Sequence, residues 1–300
     1  MSGVVSRAAT GASTDPGRAA AGLKASFDEV YAQADPRPYF RVLGDLGYAE
    51  AAHMARIAWG LLRQRGRGLD DGRVQTVLDL CCSYGMLGAL LGTDASLGDL
   101  AARYRDPAIA TWSSQRVIDE DREYLARHRR PGTPIVHGVD AAAPAVAYAR
   151  AIGAIVAGFA EDLEDEEPSE GLRRVIASVD LVTVAGGIGY VTERTLDRVL
   201  RHAPAPGPWI AALVSRTYPY DHIATTLAGH GLVTERLTTR TFPRRRFASA
   251  AEQQAVLSHL RGLRIDATGR EDDGWYHADL FVSRPRAEAR PSIDRVLERL

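Results

Sequence analysis

The sequence predicts an α/β fold built on a mainly parallel sheet, on three observations. Short apolar runs rich in Val, Ile and Leu recur along the chain, and segments of helical periodicity separate them. The 300 residues, 45% of them hydrophobic, can also bury a sizeable core. Because strands that alternate with helices form βαβ units with right-handed crossovers, we expect seven strands with helices on both faces. The seventh strand is expected to return antiparallel, as is common in mixed sheets.

The residues before the first strand are expected to form a helical cap. Residues 1–22 lack an apolar signal core and are predicted to be a disordered leader. Residues 23–72 are predicted to be an N-terminal helical cap, or lid, in which Pro36 and Pro38 break the helical pattern. The remainder, residues 73–300, is predicted to be the sheet domain.

The sheet domain is predicted to contain seven strands, at residues 74–80, 134–140, 154–163, 179–187, 208–216, 231–240 and 276–284. Sheets of this kind bind ligands outside the carboxyl ends of their strands. A ligand is therefore expected where the first five strands end, near Cys81, Asp140, Phe159, Gly186 and Arg216.

Two insertions interrupt the regular alternation. The first insertion, about residues 92–133, follows the first crossover helix and starts at the amino edge of the sheet. We therefore expect it to pack against the rest of the protein or to mediate self-association as a homodimer. Residues of about 241–274 precede the seventh strand, and an antiparallel seventh strand would place them on the ligand face.

Composition and short motifs exclude several functional classes. The net charge of −1 gives no reason to expect nucleic acid or an anionic membrane as a partner. The only two cysteines are adjacent, which excludes a disulfide framework and favours a reducing, cytoplasmic location. The longest apolar runs are shorter than the roughly 18 residues of a membrane span. The histidines and cysteines lack metal-ligand spacing, and no Gly-x-Ser-x-Gly nucleophile elbow is present.

Four segments, in order, resemble the motifs of class I S-adenosylmethionine-dependent methyltransferases. DLCCSYG (79–85) resembles their first loop, in which glycines usually stand where Cys81 and Ser83 are. GVDAAAPAVAYAR, GFAEDL and VDLVTVAGGIGYV are similar to the next three motifs. The likeness covers roughly residues 74–284 and ends on the hydrophobic strand HADLFVSR. It implies a Rossmann-like fold and S-adenosylmethionine as the cofactor.

The resemblance also implies a set of cofactor-binding residues at the strand ends. These are Asp79, Cys81, Ser83, Tyr84, Gly85, Asp140, Ala141, Phe159, Ala160, Glu161, Asp162, Ala185 and Gly186. In the first loop we expect positive φ only at Gly85, with Cys81 and Ser83 as small fillers, because a Cβ at positive φ is costly. The alternative is that the loop has lost its ligand and that the cysteines are small buried apolar residues.

The second and third strand ends each have two interpretations. Asp140 is predicted to accept the ribose hydroxyls, although it also suits the N-terminus of the following helix. After the third strand Phe159 occupies the place where the family often has an acid. Either Phe159 packs on the adenine ring, or the carboxylate of Glu161 or Asp162 accepts a hydrogen bond from the amino group of the adenine. A solvated acidic loop would explain these acids without a ligand.

Candidates for the acceptor side come from the cap and the later loops. The proposed acceptor-binding residues are Tyr39, Arg216, Tyr218, Arg244, Arg245 and Arg246. The three consecutive arginines, flanked by Phe242 and Phe247, would suit an anionic group, with a solvated basic turn as the alternative. His222 and Tyr190 are the candidate bases. Tyr31, Tyr39 and Tyr48 are expected to close over the cofactor's sulfonium.

The sequence is predicted to encode a methyltransferase that acts on O, N or C of a small molecule. We further expect an anionic acceptor and a role in secondary metabolism. The alternative is a catalytically inactive protein of this fold that binds or scaffolds within a biosynthetic assembly. A dinucleotide enzyme is disfavoured. It would need Gly-x-Gly-x-x-Gly with an acid about 20 residues further on, and neither CCSYGML nor GGIGYVT has three glycines.

Overall fold

The computed structural model describes residues 28–67 and 72–298, so the predicted leader lies outside the described residues. Its eight strands are β1 (Thr76–Leu80), β2 (Ile135–Val139), β3 (Ala157–Phe159), β4 (Leu181–Ala185), β5 (Trp209–Ser215), β6 (Leu232–Arg236), β7 (Phe242–Arg246) and β8 (Trp275–Pro285). The described α-helices are α1 (Asp28–Tyr31), α2 (Arg37–Asp45), α3 (Glu50–Gly66), α4 (Met86–Gly92), α5 (Leu97–Arg103), α6 (Ser114–Arg127), α7 (Ala143–Ala151), α8 (Glu170–Ile176), α9 (Glu193–His202), α10 (Asp221–Gly229), α11 (Ala250–Gly262) and α12 (Ile293–Val296).

The strands form one mixed sheet in the order β3-β2-β1-β4-β5-β8-β6, and β7 also pairs with β8. Strands β1 to β5 are mutually parallel, whereas β8 runs antiparallel to β5. The order reverses between β1 and β4, so the carboxyl ends of these strands border the crevice where such sheets bind ligands. The predicted α/β class, the mainly parallel sheet and its antiparallel last strand are confirmed.

Hydrophobic cores lie on both faces of the sheet, because successive strand side chains point to opposite sides. Val77 packs in one cluster with α3, α4 and α7, while its neighbour Leu78 packs in the other with α8, α9 and α10. Both side chains are fully buried. Burial on both faces explains why the strands read as continuous apolar runs rather than as alternating patterns.

The cap helices share the first of these cores with the sheet. Met54, Ile57 and Leu61 on α3 are at most 1% exposed and belong to the same cluster as strand residues Val77 and Leu213. Helix α3 packs against α4, β4, β5 and β7. The division into a cap and a sheet domain stays a prediction, and the cap's apolar side chains complete the sheet's own core.

The first insertion packs against the cap. Arg37 on α2 donates a hydrogen bond of 2.7 Å to the carbonyl of Trp112, and Ser114 Oγ donates to Asp35 at 2.6 Å. Tyr104 stacks on Phe40 with ring centroids 4.3 Å apart. These contacts give the first insertion a place in the packing of the cap, and its role, in packing or in self-association, stays a prediction.

Sequence reasoning missed strand β7 inside the second insertion. It pairs antiparallel with the amino-terminal half of β8, which lies beyond the carboxyl end of β5. Its other edge meets the chain between α2 and α3, where Ala49 N donates to Arg244 O at 2.8 Å and Arg246 N donates to Leu46 O at 2.7 Å. Pro243, a residue that normally argues against a strand, coincides with a register irregularity at which the ladder is interrupted. Strand β7 thus extends the sheet to the ligand side.

Candidate functional site

A cavity of about 400 Å³ opens where β1, β2 and β4 end. Its floor is formed by residues that follow these strands, among them Cys81, Asp140 and Gly186. The cap, the acidic loop after β3 and strand β7 complete the wall. The predicted ligand position at the strand ends therefore coincides with a cavity of the size that small-molecule sites usually have.

The loop after β1 has three residues in the left-handed region, at alternate positions. Cys81 has φ of 56°, Ser83 of 50° and Gly85 of 76°. Our expectation that only Gly85 would have positive φ is wrong. The backbone keeps the conformation that glycines would favour, and two side chains bear its cost, roughly 1–2 kcal/mol each. Strain of this kind persists only where the surroundings impose it, and it clusters at functional sites.

The two cysteine side chains fit because their neighbours are glycines. A Cβ built on Gly187 would lie 2.6 Å from Cys81 Sγ, and one on Gly138 would lie 2.5 Å from Cys82 Sγ. Burial raises the pKa of the Cys82 thiol well above its usual range, so this group stays neutral. Cys82 is therefore the small buried residue that the sequence indicated, Cys81 is partly exposed, and both line the cavity.

Asp140 occupies the centre of the site, after β2. One carboxylate oxygen accepts a hydrogen bond from Ser83 N and the other from Ala142 N, both at 2.9 Å. The second bond fixes the turn before α7, whose N-cap residue is Ala142, so Asp140 is not the N-cap of this helix and its side chain lines the cavity. Each oxygen retains a lone pair for a ligand hydroxyl. Burial raises the pKa of this carboxyl group.

Two further polar groups at the floor have unusual surroundings. Asp79 is 4% exposed and accepts a hydrogen bond from Thr183 Oγ1 at 2.7 Å. Burial raises its pKa to about 7, and the nearby Asp140 charge acts in the same direction. Ser83 Oγ is buried without a hydrogen-bond partner among the described residues, although Ser83 lines the cavity. A bound ligand could satisfy this hydroxyl.

The loop after β3 contributes acids and no aromatic ring to the cavity. Glu161 and Asp162 line it, whereas Phe159 and Ala160 do not. A Cβ on Gly171 would lie 3.3 Å from the Phe159 ring, which shows that this ring faces α8. The expectation that Phe159 packs on an adenine is therefore corrected, and Glu161 and Asp162 stay candidates. Sequence reasoning missed Glu164, which lines the cavity and accepts hydrogen bonds from Thr192 and Thr195.

Tyr84 and Gly85 were predicted to contact the cofactor, and the structure places both outside the cavity lining. The Tyr84 hydroxyl donates to the carbonyls of Val30 (2.8 Å) and Gln33 (3.0 Å), so this residue holds the cap. A Cβ on Gly85 would lie 2.8 Å from Ala149 Cβ, so this glycine permits the close approach of α7. Ala141, Ala185 and Gly186 do line the cavity, as predicted.

The cap supplies an aromatic wall formed by Tyr31, Tyr39 and Tyr48. The Tyr39 ring centroid lies 6.0 Å from the centroids of both other rings. Burial raises the pKa of all three hydroxyls, and Glu50 contributes to each shift, so the hydroxyls stay protonated. The three rings line the cavity, and their closure over the sulfonium of a cofactor stays a prediction.

A buried ion pair, missed by sequence reasoning, lies next to this wall. Glu50, the first residue of α3, accepts a 2.9 Å hydrogen bond from Arg244 Nε, and both residues line the cavity. Their side chains are 1% and 6% exposed. A Cβ on Gly186 would lie 2.8 Å from Glu50 Oε2, so this glycine makes room for the pair. A signal was available, because Glu50 precedes the buried residues Met54 and Ile57 at helical spacing.

The three consecutive arginines do not form one anion site. They belong to β7, where Arg245 makes two hydrogen bonds to the Glu252 carboxylate, at 2.6 and 3.0 Å. Arg246 is exposed and lies over the Trp275 ring, outside the cavity lining. Both the cluster and the solvated-turn interpretations are therefore corrected. Only Arg244 and Arg245 reach the cavity, and both are paired with acids.

The residues predicted after β5 lie outside the cavity lining. Arg216 forms a buried ion pair with Glu271, with Nη1 and Oε2 2.5 Å apart, so its charge serves the fold. His222 is exposed, with Nε2 3.4 Å from both Tyr218 OH and Glu193 Oε2. The placement of Arg216, Tyr218 and His222 at the ligand face is corrected. Of the two predicted bases only Tyr190 lines the cavity.

In the described part of the chain, no group of three or more His, Cys, Asp or Glu residues is arranged to hold a metal ion. No helix in residues 28–67 or 72–298 has both the length and the apolar character of a membrane span.

Comparisons with known proteins find likeness only among solved structures. No protein-family model and no curated protein matches the chain. The sugar N-methyltransferase KedS8 from Streptoalloteichus sp ATCC 53650 is 16% identical, with 95% of this chain and 100% of that chain covered and a TM-score of 0.42. Magnesium protoporphyrin IX methyltransferase (ChlM) from Synechocystis PCC 6803, with bound SAM, is 13% identical, with 92% and 100% covered and a TM-score of 0.41. At these identities and TM-scores the likeness carries no functional argument, and the proposed function rests on the residues of this chain.

Proposed function

We propose that this protein binds S-adenosylmethionine and transfers its methyl group to a small molecule. The single observation that carries the proposal is the loop after β1, in which Cys81, Ser83 and Gly85 all adopt the left-handed conformation beside the Asp140 carboxylate. A strand-to-helix turn without a ligand would have no reason to retain two strained side chains.

The residues at the floor of the cavity fit the proposed cofactor. Asp140 would accept the ribose hydroxyls through its remaining lone pairs, and the unpartnered Ser83 Oγ would gain a hydrogen bond. Glu161 and Asp162 both line the cavity, and the carboxylate of one of them would accept a hydrogen bond from the adenine amino group. The absence of a Cβ at Gly186 and Gly187 leaves room for Glu50 and Cys81 beside the end of β4.

The chain's part in the reaction would be alignment and exclusion of water. When bound, S-adenosylmethionine supplies a methyl carbon that is already activated by the adjacent sulfonium. The buried Tyr39 and the half-buried Tyr48 would exclude water from their side of the cavity, and the strand ends would hold both reactants in a fixed orientation.

Calorimetric titration with S-adenosylmethionine and S-adenosylhomocysteine tests the proposal directly. Asp140→Ala should weaken binding of both by about 1.5–3 kcal/mol, because it removes hydrogen bonds to a charged acceptor. Asp165→Ala is the control, since this acid lies in the acidic loop after β3, is largely exposed and is outside the cavity lining.

Thermal unfolding must first show that both variants are folded. A folded Asp140→Ala protein that binds normally would contradict the role given to this residue. If the unmodified protein binds neither compound, the alternative of a cofactor-free scaffold would be favoured instead.

A further inference from the structure

The Glu50 carboxylate has one oxygen that nothing in the described chain uses. Oε2 accepts from Arg244 Nε at 2.9 Å, whereas Oε1 is buried and has no hydrogen-bond partner among the described residues. The side chain is 1% exposed and lines the cavity. Because an unpaired buried acceptor is costly, a hydrogen-bond donor on a ligand is the natural partner for Oε1.

The surroundings of Glu50 favour a cation. The tyrosine wall of Tyr31, Tyr39 and Tyr48 lines the same cavity as Glu50. Aromatic faces attract ammonium groups. An amine that donates to Oε1 could therefore also contact these rings.

The charge of the cavity points the same way. Among its described lining residues are six acids, Glu50, Asp79, Asp140, Glu161, Asp162 and Glu164, and two arginines, Arg244 and Arg245. Each arginine is neutralised by an ion pair, Arg244 with Glu50 and Arg245 with Glu252. The remaining charge is negative, which disfavours the anionic acceptor that the arginine triplet indicated.

We propose that the methyl acceptor is a small-molecule amine whose nitrogen donates a hydrogen bond to Oε1 of Glu50, and that this carboxylate receives the proton which methylation releases. The bound ammonium first gives one proton to Oε1, which frees the nitrogen lone pair. That lone pair forms the new N–C bond, the C–S bond breaks and its electron pair stays on sulfur, so that the methylated nitrogen carries the positive charge. This inference rests on the proposed function, which it extends to a substrate class.

Binding of three matched probes to the protein saturated with S-adenosylhomocysteine tests the inference. The probes are benzylamine, benzyl alcohol and benzoate, measured by calorimetry. Benzylamine should bind at least tenfold more tightly than either of the others. Glu50→Gln should reduce this preference to threefold or less, because the amide lacks the charge. Glu193→Gln, outside the cavity lining, is the control and should retain the preference.

The same titrations separate the two proposals. S-adenosylhomocysteine should bind Glu50→Gln within threefold of its affinity for the unmodified protein. If it fails to bind the unmodified protein, the proposed function fails. If S-adenosylhomocysteine binds but benzylamine is not preferred over the other two probes, only the present inference is overturned. The same holds if none of the three probes binds. If Glu50→Gln is unfolded, the double variant Glu50→Gln/Arg244→Gln takes its place, because it removes both charges of the ion pair. This variant should show the same loss of preference for benzylamine. If it retains the preference, the inference is overturned.

Discussion

At the scale of single residues, the site is defined by carboxylates whose surroundings differ. Asp140 is fixed by two backbone amides, Asp79 is buried beside a threonine hydroxyl, and Glu50 has one oxygen that is paired and one that has no partner among the described residues. Burial raises the pKa of both Asp79 and Asp140, and the charge of Asp140 adds to the shift at Asp79.

Asp79 makes stability depend on pH. Its folded-state pKa of about 7 lies above the ordinary value of 3.8, so the folded protein binds more protons than the unfolded chain between these values. Stability is therefore expected to fall as pH rises from about 4 to about 7 and to level off above. Asp79→Asn keeps an oxygen that can accept from Thr183 and should reduce this slope.

Urea denaturation of both proteins from pH 5 to pH 8 measures the effect. The free energy of unfolding of the unmodified protein should fall relative to that of Asp79→Asn by a few kcal/mol, at about 1.4 kcal/mol per pKa unit. Parallel curves would mean that Asp79 is not protonated in the folded state near neutral pH.

At the scale of elements, two short segments create the site. The loop after β1 holds a glycine-like conformation with two non-glycine residues. Strand β7 joins β8 on one edge and the chain between α2 and α3 on the other, and so places Arg244 opposite Glu50. Both elements depend on contacts with neighbours that are distant in sequence.

Strain in the loop can be measured at Ser83. Ser83→Gly should raise the free energy of unfolding by about 1 kcal/mol relative to Ser83→Ala, because glycine adopts positive φ without the Cβ penalty that alanine retains. Both variants lack the hydroxyl, so their difference isolates the backbone term. Denaturant unfolding gives the stabilities.

Cofactor binding by the same pair separates strain from contact. If Ser83 Oγ contacts the ligand, both variants should lose the same amount of S-adenosylhomocysteine affinity, about 0.5–1.5 kcal/mol. Equal stability of the glycine and alanine variants would argue against the left-handed conformation at this position.

At the scale of the whole molecule, the cap and the sheet share one hydrophobic core. Helix α3 buries Met54, Ile57 and Leu61 in the cluster that contains Val77 and Leu213. We therefore expect calorimetry to show a single unfolding transition.

Ile57→Ala tests this expectation. It should lower stability by about 2–5 kcal/mol and move the whole transition to lower temperature, because the cavity it creates lies in the shared core. Arg63→Ala on the exposed side of the same helix is the control and should change stability by less than about 0.5 kcal/mol. A separate low-temperature transition would instead support an independently folding cap at residues 23–72.

Much of the fold follows from the sequence alone, because strands buried on both faces are continuous apolar runs that end in recognisable turns. The segments predicted for β1, β2, β4, β5 and β8 coincide with observed strands to within two residues, and Asp140 was predicted at the carboxyl end of β2 from its motif alone. Strand β7 was missed because its sequence, FPRRR, lacks the apolar run that indicates a strand, and its edges are completed by distant segments.

Only the tertiary structure revealed which charged side chains reach the cavity. Glu50 and Arg244 are 194 positions apart, and their pairing depends on how α3 and β7 pack around Gly186. The three consecutive arginines have different neighbours: Arg244 pairs with Glu50, Arg245 pairs with Glu252, and Arg246 lies over Trp275. Arg216 and His222 contact other acids and lie outside the cavity lining. A local pattern specifies which element forms and where it ends. The partner of a charge depends on the global packing, because a buried charge is stable only beside a compensating group, wherever in the chain that group originates.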